Sequence, residues 1–148
     1  MFIENLSKLF VRDLNKLKEE ISLYKKEENI WIIGEGISNS SGNLSLHLIG
    51  NLNAFIAAEI GKTGYVRNRP EEFSLKNISR EVLLKNIDQT ISAVTNSLKN
   101  LNEDDYDKIY PIKVFEYDIT YQLFLMHLSG HLTYHLGQIN YNRRLLDN

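Results

Sequence analysis

Apolar residues recur at spacings of three and four along four stretches of the chain, and polar or glycine- and proline-bearing segments separate them. Phe2, Leu6, Leu9, Phe10, Asp13, Leu14, Leu17, Ile21 and Tyr24 predict a first helix over about 2–26. After the apolar and then glycine- and serine-rich loop IWIIGEGISNSSG, Asn39 and the serines offer N-caps for a second helix, about 42–61. The polar connection KTGYVRNRPEEFSLKN contains two breakers, Gly64 and Pro70. Ser79 then caps a third helix, about 79–100, with Val82, Leu83, Ile87, Ile91, Val94 and Leu98 on its apolar face. NEDDYDKIYPIKVFEYD reads as irregular, with a short extended piece near 112–117, and a last helix occupies about 119–145. Four amphipathic helices without repeats or low-complexity tracts predict an all-α four-helix bundle with long connecting loops, one domain over 1–148.

Composition narrows the partners. Hydrophobic residues make up 43% and charged residues 24%, which is globular usage. Net charge is −2 and no basic stripe is present, which argues against nucleic acid. No stretch has the length of a membrane span or the unbroken apolar core of a signal peptide, so the expectation is a cytoplasmic protein without membrane partners. The absence of cysteine removes thiolate nucleophiles and Cys-based metal sites. NIWIIGEGISN imitates a dinucleotide-binding turn, but Asn39 replaces the third glycine and no strand–helix–strand unit follows.

Histidine then stands out. Three of the four histidines, His127, His131 and His135, recur every fourth position on the last helix, and the fourth is His47. At about 100° per residue, with His131 at zero, Phe124, Leu128, Ile139 and Leu132 span about 20° to 100°. His135 falls within that arc at about 40°, whereas His127 lies at its edge at about −40°. Ser129, Thr133, Asn140 and Arg144 form the opposite, solvated face. On the second helix, His47 and Asn51 lie on or beside the stripe of Leu44, Leu48 and Phe55. Buried polar groups left unsatisfied cost about 1–3 kcal/mol each. These rings are therefore either core histidines bonded to backbone or to each other, or metal ligands. Residues four apart have Cβ atoms about 5–6 Å from one another, which suits two imidazoles meeting one ion. His127 lies about 12 Å along the axis from His135 and cannot share that ion easily.

NSSGNLSLHLIGNL (39–52), VRNRPEEF (66–73) and HLTYHLGQI (131–139) together resemble the DinB/YfiT-like family of four-helix-bundle proteins, over nearly the whole chain and in order. The resemblance implies a divalent metal, nickel or zinc, held by His47, His131 and His135. It further implies thiol chemistry, S-transfer from a low-molecular-weight thiol or thiol-dependent isomerisation, and a homodimer. Arg67, Arg69, Glu71 and Glu72 match the family's Arg-x-Arg-x-x-Glu-Phe pattern. They follow the end of the second helix remote from His47, and a structural or interfacial role is expected of them.

Three protein ligands leave a position for water or substrate, the arrangement of catalytic sites. Hydrolysis also needs a general base. Glu59 lies about 18 Å along the helix from His47, and Glu35, in the loop before it, is the one candidate. A thiol needs less help, because coordination itself favours its deprotonation. The favoured reading is a metal-dependent S-transferase acting on small electrophiles. The alternatives are a metal-dependent hydrolase of the same fold, or a non-catalytic metal-braced bundle serving as a stress-related interaction protein. Asn51, His127 and Gln138 are candidates for orienting the ligands from behind, Asn51 toward His47 and Gln138 toward His131. Tyr134 is expected to pack, and Trp31 to anchor its loop in the core.

Overall fold

The computed structural model describes residues 1–148 and is all-helical, without a strand. Helix α1 spans Phe2–Leu23, and a 3-10 turn at Glu27–Trp31 follows it. Helix α2 runs Ser41–Leu52 and continues as a π-helical stretch, Asn53–Ala58. A short helix α3, Arg69–Ser74, precedes α4, Arg80–Leu98, and α5, Tyr121–Leu146. The four long helices are those the periodicity predicts, and α1 ends three residues before the expected limit.

Side-chain caps fix where helices begin. Ser40, Ser79 and Thr120 accept hydrogen bonds from the backbone N–H groups of Asn43, Val82 and Leu123. Replacing such a cap by alanine costs about 0.5–2 kcal/mol. Asn68 caps α3 in the same way, with Pro70 in its first turn, where a missing N–H costs nothing.

Helix α1 packs against α4 and α5, and α2 packs against α3, α4 and α5. Leu17, Leu48, Leu52, Ile87, Leu132 and Ile139 are fully buried in one continuous core. Gly42 lets Trp31 close over the start of α2: an added Cβ would lie 2.6 Å from the indole ring. Trp31 is buried, as an anchor of its loop.

Four expectations are corrected. Val82 is exposed, and Thr90 and Ser97 take places on the buried face of α4, where their hydroxyls donate back to the carbonyls of Asn86 and Ala93. The 112–117 segment forms no strand; the chain pairs instead at Ile109 and Thr120, with the N–H of Tyr110 bonded to the carbonyl of Ile119. The polar side of α5 is not simply solvated. Thr133 donates to the buried Asp13 at 2.7 Å, and Asn140 and Arg143 both donate to the buried Glu20 at 2.7 Å, so a polar seam joins α5 to α1. Finally, the 62–68 connection does not stay at the far end of α2. The Asn43 amide donates to the carbonyls of Glu72 and Leu75 and holds α3 against the first turns of α2.

Candidate metal centre

The Asn-Ser-Ser-Gly-Asn stretch sets the start of α2 through the Ser40 cap, and about two turns later that helix presents His47, 8% exposed. Helix α5 presents His131 and His135, both half-buried, from consecutive turns. The buried face of α5 runs from Phe124 and Asn142 through Leu128 and Leu132 to Leu136. His135 falls within that arc, between Phe124 and Leu128, with His131 beside it, and both rings are half-buried. This side of α5 meets His47 of α2, and it brings the three rings together.

Their Nε2 atoms converge. His131 Nε2 lies 3.3 Å from His47 Nε2 and 3.1 Å from His135 Nε2, and the ligating nitrogens of the three residues all lie within 4.8 Å of one another. Metal–nitrogen distances of about 2.0–2.1 Å in a tetrahedral site place ligand nitrogens about 3.3 Å apart. The spacing fits.

The hydrogen bonds behind the rings decide which nitrogens hold protons. His47 Nδ1 is 3.0 Å from Glu72 Oε1; a carboxylate only accepts, so Nδ1 donates and Nε2 keeps its lone pair. His135 Nδ1 donates in the same way to Gln138 Oε1 at 2.7 Å. Two lone pairs thus face His131 Nε2, and one proton there satisfies only one of them. His131 Nδ1 is buried without a partner, so neither tautomer of this ring satisfies the group. A cation among the three Nε2 atoms resolves the conflict. A proton does not supply it at neutral pH: burial, together with the neighbouring imidazoles, pushes His131 down to about 4. Burial also lowers His47, against the opposing pull of Glu72. Neutral imidazole is the form that ligates a metal.

Glu72 is the element that spacing along the sequence missed. It is buried, and Arg67 grips it with a two-point fork, Nε to Oε2 at 2.7 Å and Nη2 to Oε1 at 2.8 Å. Its approach to α2 depends on Gly50, where an added Cβ would lie 2.0 Å from Glu72 Oε2. The Arg-x-Arg-x-x-Glu pattern therefore does not lie remote from His47. It supplies the acceptor that orients the ring, the role expected of Asn51.

Asn51 is buried, and its Oδ1 has no partner. With Phe55, Arg69, Phe124, His127 and His131 it lines a cleft of about 250 Å³ beside the imidazoles. His127 stands apart from the convergence, exposed, its ring edge-on to Phe115 at 5.0 Å. Gln138 orients His135 and not His131. Tyr134 is 66% exposed and so is not a core residue; with His135, Gln138 and Tyr141 it lines a second cavity of about 500 Å³ on the other flank. Glu35 is exposed and lines neither space. No helix is long and apolar enough to cross a membrane.

The fold is shared with a solved structure described as "Crystal structure of the conserved protein of locus from Enterococcus faecalis". The two chains are 18% identical with a TM-score of 0.75, over 97% of this chain and 95% of that one, a likeness that establishes the common fold alone. Among curated proteins no relative matches the chain. The model of a family described as "Protein of unknown function (DUF1572)" matches residues 1–148, and the chain belongs to that family.

Proposed function

We propose that this protein is a divalent-metal-dependent enzyme, its ion held by His47, His131 and His135, that transfers a small thiol to an electrophile. The observation that carries the reading is the convergence of three Nε2 atoms, two of them fixed as lone-pair donors by Glu72 and Gln138. The sequence resemblance to DinB/YfiT-like proteins supports nickel or zinc as the metal and a low-molecular-weight thiol as co-substrate.

Bound there, a divalent ion supplies Lewis acidity and favours the thiolate over the thiol. The chain's own residues do the rest. Glu72, gripped by Arg67, holds the Nδ1 proton of His47 and the direction of its ring. Gln138 does the same for His135. Phe55, Phe124 and Leu128 wall the cleft and limit water beside the imidazoles. Glu35 stands away from the cleft, and the Glu72 carboxylate is taken up by Arg67 and His47. With no free carboxylate on the cleft wall to act as base, hydrolysis is the weaker reading.

A second reading has one observation in its favour. The imidazoles join α2 to α5, so an ion would brace two helices of a non-catalytic bundle. Metal analysis of protein purified without an affinity tag, then a thiol-dependent conjugation screen, separates the two. One equivalent of nickel or zinc with thiol-dependent turnover supports the enzyme. Metal without turnover, but with a large stability loss on chelation, supports the brace. Absence of metal after loading sinks both.

A further inference from the structure

The cleft beside the imidazoles has an unbalanced charge. Its wall contains Arg67 and Arg69 but no aspartate or glutamate. Arg67 is neutralised from behind by Glu72. The guanidinium of Arg69 instead rests on the Phe73 ring, 5.4 Å from its centroid, with no carboxylate partner. Three neutral imidazoles would leave the charge of a divalent ion uncompensated at the inner end. In a chain of net charge −2 this is a local concentration of positive charge, and clefts of one sign with low-dielectric walls concentrate ions of the other.

Two further features describe the shape of what enters. Asn51 is 7% exposed, and its Oδ1 is a buried acceptor without a partner, a group whose desolvation is unfavourable unless something bonds to it. Apart from His127, the remaining wall is apolar: Phe55, Val114, Phe124 and Leu128. A volume of about 250 Å³ admits only a small molecule. Apolar walls with a few placed polar groups are the usual form of a small-molecule site.

We infer that this cleft binds a small amphipathic monocarboxylate, its carboxylate on Arg69 at the mouth, its apolar body against Phe124 and Leu128, and the Asn51 amide meeting a polar group at the inner end. Arginine suits the outer position because its planar fork matches a carboxylate. The inference rests on the metal-centre reading, since the ion's charge adds to that of Arg69, and it names the chemical class that the site selects.

Benzoate serves as the probe, with benzamide as its uncharged counterpart and inorganic phosphate as an anion without an apolar body. Calorimetric titration of the metal-loaded chain is expected to show benzoate binding at least tenfold tighter than either control. Arg69→Gln should weaken benzoate at least tenfold with metal content unchanged, and Arg69→Lys should restore part of it. Arg144→Gln, which removes an exposed arginine outside the cleft, should bind as the unaltered protein does. Equal binding of benzamide or phosphate, or benzoate binding indifferent to Arg69→Gln, overturns the inference. Metal content measured on the same samples keeps the two readings apart. A chain that never holds an ion but binds benzoate through Arg69 loses the enzyme reading and keeps this site. A loaded chain that ignores benzoate loses this site alone.

Discussion

Glu72 Oε1 lies 3.0 Å from His47 Nδ1, although 25 residues and a helix end separate the two along the chain. The contact fixes the tautomer of the one imidazole that α2 contributes, and three other residues maintain it: Arg67 by its fork, Asn43 by holding α3, and Gly50 by leaving room.

Glu72→Gln is therefore expected to weaken metal binding about 10–100-fold, the usual effect of losing a group that orients a ligand. Gly50→Ala should do the same by displacing the carboxylate, even though alanine favours a helix interior by about 1 kcal/mol over glycine. Competition titration against a chelator measures both. Wild-type affinity in the two variants would mean that the Glu72 contact is only structural.

The four histidines should separate cleanly. His47→Ala, His131→Ala and His135→Ala each leave two of the three converging nitrogens and should lose most bound metal. His127→Ala should keep it, because that ring packs on Phe115 at the cleft wall. Elemental analysis of the four purified variants decides this, and equal metal content in all of them would make the cluster an ordinary set of buried histidines.

Acid should destabilise the metal-free protein in a defined window. His131 is pushed down to about 4 in the folded chain, by burial first and then by the neighbouring imidazoles. In the unfolded chain it titrates near 6.5, so between about 4 and 6.5 the unfolded state binds the extra proton. Its contribution to stability is complete above that window and falls as pH drops through it. The lowered His47 acts in the same direction. Denaturant titrations of chelated protein across the window should show the decline, and His131→Ala should flatten it. Loaded protein should also release its ion on acidification, because protons compete for the same nitrogens. A decline of equal size in His131→Ala would assign the effect to other groups.

Leu9 on α1 and Leu123, Met126 and Leu145 on α5 are large apolar residues left exposed at 39–62%. Together with the homodimer that the sequence resemblance implies, they lead us to expect an isologous dimer. Sedimentation should show a dimer that Leu123→Asp with Met126→Asp converts to monomer. A wild-type monomer at every accessible concentration would refute it.

The sequence by itself determined the four long helices, because a spacing of three and four can bury one face only as a helix, and the start of α4 at Ser79, because that cap acts within one turn. It also singled out His47, His131 and His135, since polar rings beside an apolar stripe need partners. Tertiary structure decided what surrounds them. Helical angles put His135 in the apolar arc, between Phe124 and Leu128, but do not say how far it is covered; the ring is half-buried because it opens on the cavity lined by Leu44, Tyr134 and Gln138. Packing of α5 on α1 also lets Thr133, although exposed, and Asn140 donate to the buried Asp13 and Glu20. Asn51, one turn from His47, is the partner that spacing along the helix suggests. The partner is Glu72, brought back by a connection whose direction no periodicity encodes, held by the Asn43 amide and admitted by the missing side chain at Gly50. Local spacing fixes what lies on one helix, whereas a contact between distant segments depends on where a loop returns, and that is settled only when buried polar groups find each other.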